Sequence, residues 1–190
     1  AILQSVDRPH VVRMYGVVPY NPIRIVMELC EGGNLFDLLH TQVDIPLTWG
    51  QKLKMAEDVS DAMAYLHAFE PPILHRDLKS LNLLLGAPVF GAGDVPDVKL
   101  SDFGLSRLKD CTQFTLMTAS VGTTHWMAPE VLQGAAYDEK VDVYSFGMIM
   151  YEVAYRRIPF DEVKRRMDIA KLVMDGMRPD IGVRVPGLPT

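Results

Sequence analysis

Apolar residues near the start of the chain fall into short runs that predict β-strands. Two such runs, Val12–Val18 and Ile23–Leu29, flank residues 19–22, whose two prolines and asparagine indicate a turn. Beyond them, Asn34 is placed to cap a short helix over Leu35–His40. This part of the chain therefore predicts a two-stranded unit that leads into helical structure.

Helical spacing dominates the next part of the chain. Thr48 and Gln51 form a capping-box pattern, which predicts the first turn of a long helix. Apolar residues then recur at helical intervals, as on one face of a helix: Leu53, Ala56, Val59, Met63 and Leu66. The pair Pro71-Pro72 predicts the end of the helix, so the segment that follows should lie on a loop.

A second pair of strands is predicted further along the chain. Leu83–Leu85 and Val98–Ser101 have strand-like sequences, and the connection Gly86–Asp97 between them is rich in glycine and proline. We expect this connection to be an inserted, disordered surface loop.

Two more helices are predicted toward the end of the chain. The segment from Asp138 to Tyr155 is apolar almost all the way round, which indicates a buried helix, and Pro159 closes it. Asp161 is placed to cap a last helix, which Arg178-Pro179 ends. The apolar residues of this last helix share one face: Val163, Met167, Ala170 and Met174.

Composition narrows the class of protein. The chain has 190 residues, 48% of them hydrophobic, which is enough to bury a sizeable core. The net charge of −5 provides no basic field for nucleic acid, and no apolar run reaches the length that spans a membrane. Cys30 and Cys111 lie far apart, which fits a reduced intracellular compartment better than a disulfide framework, so we expect a cytoplasmic protein.

Three short motifs carry the candidate chemistry. His75–Asn82 has the sequence HRDLKSLN, Asp102-Phe103-Gly104 follows Asn82 by twenty residues, and Ala128-Pro129-Glu130 comes later. Any one tripeptide arises by chance in about one of 8,000 windows, whereas chance does not account for all three in this order. Together they resemble the catalytic core of eukaryotic-type protein kinases, and the resemblance covers residues 1–190.

The resemblance implies an α+β fold with two lobes. Residues 1–29 would be the remnant of a small β-rich lobe, and residues 30–190 the hinge and an incomplete, mostly helical large lobe. The family's glycine-rich phosphate loop and its Val-Ala-Ile-Lys strand do not precede this part. We therefore expect a fragment cut at both ends, with little or no kinase activity by itself.

The resemblance also implies ATP-dependent transfer of a phosphoryl group to a protein substrate. Asp77 would accept the proton of the substrate hydroxyl, and Lys79 would offset charge on the γ-phosphate. Asn82 and Asp102 would supply oxygen ligands to Mg²⁺. Taken singly, each of these residues could be an ordinary turn or surface residue, but the family spacing of all four favours the catalytic roles.

The adenine site is placed by the same resemblance. Glu28 and Cys30 would present backbone groups to the purine of ATP, with Leu29 between them. Met27 resembles the gatekeeper beside the pocket, and Leu84 resembles the apolar floor beneath the ring. Core packing alone would also account for Met27 and Leu84.

Residues 102–130 resemble the activation segment, which would control the enzyme. Arg76 in the catalytic loop is typical of kinases activated by phosphorylation of this segment, because its guanidinium can bind a phosphate bidentately. Thr118 and Ser120 are the candidate phosphosites, and an upstream activating kinase is then an expected partner.

Further regulatory roles follow from the resemblance. Thr123 resembles the threonine that bridges the catalytic aspartate and lysine of serine/threonine kinases. Asp142 would anchor the backbone of the catalytic loop from the buried helix. An apolar stack that links the two lobes in active kinases would contain Leu3, Met14, His75 and Phe103.

The motifs also bear on specificity. Lys79 favours serine/threonine substrates, since tyrosine kinases usually carry alanine at this point. Residues 126–130 (WMAPE) and 142–147 (DVYSFG) are nevertheless similar to tyrosine kinases. The mixture is characteristic of the tyrosine-kinase-like group, whose members mostly phosphorylate serine and threonine. Three alternatives stay open: tyrosine or dual specificity, a pseudokinase that acts as a binding scaffold, and an inactive truncated product.

Overall fold

The computed structural model describes residues 8–102 and 123–182 of the chain. Strands and helices in these two ranges are, in chain order, β1 (Met14–Val18), β2 (Arg24–Met27), α1 (Leu35–His40), α2 (Trp49–His67), β3 (Leu83–Leu85), β4 (Val98–Leu100), α3 (Pro129–Leu132), α4 (Lys140–Tyr155) and α5 (Arg166–Met174). Two short 3-10 turns, Ser80–Asn82 and Thr123–Trp126, complete the described elements. The predicted α+β class is confirmed.

Strands β1 and β2 pair antiparallel as a hairpin. Met14 lies opposite Met27 and Val18 opposite Arg24, with an irregularity in register between Met14 and Gly16. Both strands are shorter than the runs predicted from sequence. Strand β1 begins later than predicted because the backbone N–H of Val12 donates to the carbonyl of Leu100 in β4, at 2.9 Å, instead of to the hairpin.

Strand β4 ties this hairpin to the helical part of the protein. The backbone of Leu100 also donates to the carbonyl of His10 at 2.9 Å, and Val11 forms a parallel bridge with Leu100. On the other side, the fully buried carboxylate of Asp58 in α2 accepts from the backbone N–H of Val98 at 2.9 Å. Helix α2 and the hairpin are therefore both fixed to the strand that leads to Asp102.

Helix α1 is closed at both ends by side chains. Oδ1 of Asn34 accepts from the backbone N–H of Asp37 at 2.8 Å, which confirms the predicted cap. At the C-terminal turn of α1, the contacts come from Arg156, the residue that follows helix α4. Arg156 has a left-handed backbone (φ 52°), and its guanidinium contacts this turn. Its nitrogens donate to the carbonyls of Leu38, Leu39, Gln42 and Ile45. The bonds to Leu38 and Leu39 satisfy carbonyls that a helix end leaves without intrahelical partners, and the bonds to Gln42 and Ile45 hold the chain that follows the helix.

Helix α2 begins at the predicted capping box, but one residue of its predicted face is wrong. Thr48 and Gln51 exchange backbone and side-chain hydrogen bonds as the motif requires. Val59, Met63 and Leu66 are buried as expected, whereas Leu53 is 65% exposed. Leu53 lies six residues before Val59, about 240° around the helix axis, and so faces away from the core. Met55 and Ala62 complete the buried face.

The connection Gly86–Asp97 is a surface loop, with Phe90 and Val95 exposed, but the expectation of disorder is wrong because the loop is attached to the core. Strands β3 and β4 pair antiparallel as predicted, and the connection between them packs against the start of α2. Nε2 of Gln51 donates to the carbonyls of Gly91 and Asp94, at 2.8 Å each, and Val89 is buried in the core.

Helix α4 is the buried helix that the sequence predicts, and Ile149 and Val153 on it belong to the main core. Helix α5 differs from the prediction. It begins at Arg166, because Asp161 lies in a turn and pairs with Arg157 at 3.2 Å instead of capping a helix.

The apolar face predicted for α5 is also wrong. Ile169 and Val173 are its buried residues and pack with Phe160, whereas Met167 is 85% exposed. The side of α5 that faces the core is therefore the side of the branched residues Ile169 and Val173, which fit against Phe160.

Candidate active site

A buried carboxylate on α4 holds the start of the catalytic loop (His75–Asn82). Oδ2 of Asp142 accepts from the backbone N–H of His75 and Oδ1 from that of Arg76, both at 2.9 Å. Nε2 of His67 lies 2.9 Å from Oδ2 and is a third partner. These donors offset the cost of burying Asp142, and they hold Arg76 in a left-handed backbone (φ 69°) that side chains rarely adopt.

His75 links the catalytic loop to the strand before Asp102. Its Nε2 lies 2.9 Å from the carbonyl of Ser101, and its Nδ1 accepts from the backbone N–H of Asp77 at 3.3 Å. Only a neutral ring can donate from one nitrogen and accept at the other. Complete burial lowers the pKa of His75, in agreement with this neutral form.

Two side chains of the catalytic loop meet at the carboxylate of Asp77. Oδ2 of Asp77 lies 2.7 Å from Nζ of Lys79 and accepts from Nδ2 of Asn82 at 3.1 Å. The same Nδ2 donates to the backbone carbonyl of Asp77 at 2.8 Å. Oδ2 is thus engaged twice, which leaves Oδ1 as the oxygen that can accept a hydrogen bond from an incoming hydroxyl group.

Hydrogen bonds from Ser101 to Asn82 place the neighbouring residue, Asp102, near this cluster. The backbone N–H and the hydroxyl of Ser101 both donate to the carbonyl of Asn82, each at 2.9 Å. Asp102 follows directly, with an exposed side chain and a left-handed backbone (φ 59°). Such a backbone costs about 1–3 kcal/mol in a residue other than glycine, and strain of this kind clusters at functional sites.

The donor set fits a hard divalent cation. Both contacts that Nδ2 of Asn82 makes are to Asp77, so Oδ1 is the amide atom of Asn82 available to a metal. Asp102 adds a carboxylate. Oxygen ligands of this kind suit Mg²⁺, so the two predicted metal residues are chemically suitable for that ion.

Four of the five predicted adenine residues lie along the hinge segment (Glu28–Gly33) or, in the case of Met27, just before it. Met27 and Leu29 have exposed side chains, and burial raises the pKa of the half-buried Cys30. The carboxylate of Glu28 forms an ion pair with Lys99 of β4.

The end of the hinge segment packs tightly on β3, the strand that carries Leu84. The backbone N–H of Gly32 donates to the carbonyl of Leu85 at 2.9 Å. A Cβ atom at Gly32 would collide with the carbonyl of Ala87 and with Cβ of Leu85. Asn34 forms a bridge with Leu84, so the structure brings Leu84 beside the chain that leaves the hinge segment.

The regulatory residues are only partly described. Phe103, Thr118 and Ser120 lie outside the described residues, and Thr123 begins the second 3-10 turn. Arg76 lies with its guanidinium carbon 5.7 Å from the ring centre of Tyr137. Within the described ranges, its buried Nε has no hydrogen-bond partner.

The site contains a buried carboxylate, that of Glu152, which the sequence motifs did not predict. Glu152 on α4 is fully buried and contacts Nε2 of His40 (2.9 Å), Oγ of Ser80 (2.7 Å) and Nε1 of Trp126 (2.6 Å). The signal was available, because an acidic residue inside an apolar helix needs donors from elsewhere in the fold. Which donors it finds is a matter of tertiary structure.

A β-hairpin joined through β4 to a mostly helical unit, with the catalytic loop anchored to α4 by Asp142, defines a protein kinase domain. The family model described as "Protein kinase domain" matches residues 1–181, and the chain belongs to this family. It is 40% identical over 187 residues to human mitogen-activated protein kinase kinase kinase 7. The matched residues are 97% of this chain and 29% of the human protein. The Drosophila melanogaster protein of the same name is 33% identical over 186 residues, which are 97% of this chain and 26% of that one.

A third relative comes from Dictyostelium discoideum and is named "Probable serine/threonine-protein kinase". It is 41% identical over 160 residues, 84% of this chain and 15% of that protein. The chain thus spans less than a third of the length of these relatives. None of the helices in the described ranges is both long and apolar enough to cross a membrane.

Proposed function

We propose that the full-length natural protein that contains this chain is a protein kinase that transfers the γ-phosphate of ATP to serine and threonine hydroxyls. The observation that carries the proposal is the meeting of Lys79 and Asn82 on one oxygen of Asp77. A loop that serves only as a turn has no need to bring a base, a cation and an amide to one point beside Asp102.

Each member of the cluster then has a role. Oδ1 of Asp77 would accept the proton of the substrate hydroxyl while the hydroxyl oxygen bonds to the γ-phosphorus of ATP, the bond from that phosphorus to the bridging oxygen breaks, and ADP leaves. Lys79 is held within reach of the transferred group and offsets the charge that develops on it. Asn82 and Asp102 would hold Mg²⁺ through their side-chain oxygens. When bound, Mg·ATP supplies the phosphoryl group and the ions that neutralise its oxygens.

The adenine end of ATP would lie against the hinge segment. We assign backbone contacts to Glu28 and Cys30, with Leu29 between them, and apolar contacts to Met27 and Leu84. The ion pair between Glu28 and Lys99 supports this assignment, because it fixes the hinge segment to the strand that leads to Asp102.

Serine/threonine specificity and regulation belong to the same proposal. Lys79 supports the specificity, and so does the name of the Dictyostelium relative. Control by phosphorylation of Thr118 or Ser120 is supported by Arg76. Its buried Nε–H group is a hydrogen-bond donor that has no acceptor within the described ranges. An upstream kinase would then be a partner, and a phosphate on the activation segment would be the ligand of Arg76.

The test is transfer of labelled phosphate from ATP by the full-length natural protein, with phosphoamino-acid analysis of a mixed protein substrate. We expect phosphoserine and phosphothreonine, and loss of transfer when Mg²⁺ is chelated. Exclusive phosphotyrosine would overturn the specificity. Binding of ATP without transfer would overturn the activity and favour a pseudokinase scaffold.

A further inference from the structure

Three elements of the protein meet around His10. His10 lies in the turn that precedes β1, Asp58 lies on α2, and Asp97 directly precedes β4. Nε2 of His10 is 3.5 Å from Oδ1 of Asp58, and Nδ1 is 3.7 Å from Oδ1 of Asp97. Both distances exceed the usual length of a hydrogen bond, so the imidazole faces two carboxylates without bonding to either.

The imidazole of His10 also has a polar atom that is not satisfied. Nδ1 is buried, and none of the described residues is its hydrogen-bond partner. Leaving a buried atom of this kind unpaired costs about 1–3 kcal/mol, so each such atom calls for an explanation. Imidazole nitrogen and carboxylate oxygen both offer electron pairs, which is what a site for a cation requires.

The protein backbone holds the three side chains in place. The carbonyl of His10 accepts from a backbone N–H of β4 at 2.9 Å, and Oδ2 of Asp58 accepts from that of Val98 at 2.9 Å. The carboxylate of Asp97 lies against Gly86, where an added Cβ atom would collide with Oδ2. Oδ2 of each aspartate is therefore directed at the backbone, and Oδ1 of each faces His10.

The spacing of these atoms fits one small cation. One ligand atom from each of the three residues lies within 4.8 Å of the other two. Ligands bound to zinc at about 2.0–2.2 Å in a tetrahedron are roughly 3.3–3.6 Å apart, so a movement of about 1 Å would close the group around one ion. One imidazole nitrogen with two carboxylate oxygens suits zinc, whereas Mg²⁺ prefers oxygen ligands alone.

We propose that His10, Asp58 and Asp97 form a zinc site that joins the chain before β1 to α2 and β4. Water would complete the tetrahedron as the fourth ligand. The site shares no residue with the catalytic cluster at Asp77, and it does not depend on the proposed kinase function. Its effect is structural, because zinc bound there holds the β1–β2 hairpin on the helical part of the protein.

Lys54 competes with a metal ion for one of these oxygens. Its ammonium group forms an ion pair with Oδ1 of Asp58, the oxygen that faces His10, and hydrogen bonding to Asp58 raises the pKa of Lys54. A fully buried carboxylate needs a positive partner, and either lysine or zinc can supply the charge. The side chain of Lys54 is 34% exposed, so it can turn into solvent when zinc binds.

This competition supplies matched variants of the full-length natural protein. His10→Phe keeps a flat ring but removes both nitrogens, and Asp97→Asn keeps the shape but removes the charge of an oxygen ligand. Lys54→Met keeps a long side chain without its charge. Asp44→Asn, at an exposed position after α1, is the control for loss of an acidic group.

The first readout is the affinity for zinc, measured by titration of metal-free protein with ZnCl₂ in excess Mg²⁺. We expect a site whose affinity falls at least ~10-fold in His10→Phe and in Asp97→Asn, and rises about 3–10-fold in Lys54→Met. Asp44→Asn should bind as wild type does. Equal affinity of His10→Phe and wild type would overturn the proposal, and so would weaker binding by Lys54→Met.

The second readout is hydrogen exchange, which locates the site and still decides the matter if His10→Phe does not fold. The amide of Val98 donates to Asp58, and that of Leu100 to the carbonyl of His10. We expect saturating zinc to slow exchange at both amides at least ~5-fold in wild type, with little effect in Asp97→Asn. Equal protection in the two proteins, or none in wild type, would refute the site. Neither readout uses phosphoryl transfer, so an absence of kinase activity would count against the proposed function alone.

Discussion

Nζ of Lys79 lies 2.7 Å from Oδ2 of Asp77, so the candidate base and the candidate phosphate-binding cation form one unit before any substrate arrives. The contact fixes the rotamer of each side chain and leaves one carboxylate oxygen for the hydroxyl group that is to be phosphorylated. Preorganisation of this kind lowers the cost of reaching the transition state.

Asp77→Asn should abolish most turnover without unfolding the protein. Asparagine preserves the shape and can still accept from Lys79, but it cannot take a proton, and general-base catalysis contributes about 10²–10⁴-fold. We expect kcat to fall by that order while the melting temperature stays close to wild type. The exposed Asp44→Asn is the matched control, and a near-normal kcat would show that Asp77 is not the base.

Lys79→Ala should lower kcat by about 10–10³-fold, because charge on the transferred group would no longer be offset. Lys79→Arg keeps the charge but not the compact ammonium group, so we expect it to recover only part of the rate. Steady-state kinetics with varied ATP would check this. A rise in the KM for ATP at unchanged kcat would place Lys79 in ground-state binding instead.

Asp142→Ala should destabilise the fold by at least ~3 kcal/mol. The substitution leaves the backbone N–H groups of His75 and Arg76 and the ring of His67 without their acceptor in a buried site. Urea unfolding would measure the change against Asp61→Ala, an exposed aspartate on α2. Equal stability of the two variants would mean that the catalytic loop has another support.

Stability should fall as the pH drops below about 6.5, the ordinary pKa of histidine, in part because of His75. Burial lowers the pKa of His75 in the folded protein, so the unfolded chain binds a proton that the folded chain refuses. The stabilisation is complete above the ordinary pKa and is lost progressively below it. Urea unfolding at several pH values should show a smaller decline for His75→Asn than for wild type, and parallel curves would contradict this origin.

Sequence predicted the parts of the fold that depend on local signals. The caps at Asn34 and Thr48 and the pairing of β3 with β4 were found because each signal lies within a few residues of its effect. The predictions of which residues of α2 and α5 face the core were partly wrong. Leu53 and Met167 are exposed although they are as apolar as the residues that pack. Only the neighbouring elements decide which of them is buried.

The candidate site divides in the same way. Asp77, Lys79 and Asn82 occupy one loop, so a motif could predict that they come together. The bonds from Ser80 and Trp126 to Glu152 join residues that are 72 and 26 positions apart. No spacing rule predicts such a contact, although a carboxylate within the apolar pattern of α4 shows that some partner must exist.

The close packing of Gly32 on β3 limits which sequences this protein can tolerate. Any larger residue there would push the hinge segment away from Leu85 and Ala87, and the ATP contacts proposed for Glu28 and Cys30 would shift with it. The neighbouring Glu31 is exposed, so the size of its side chain is not limited in this way. If the proposed adenine site is right, nucleotide affinity would depend on the size of a side chain that does not itself contact the nucleotide.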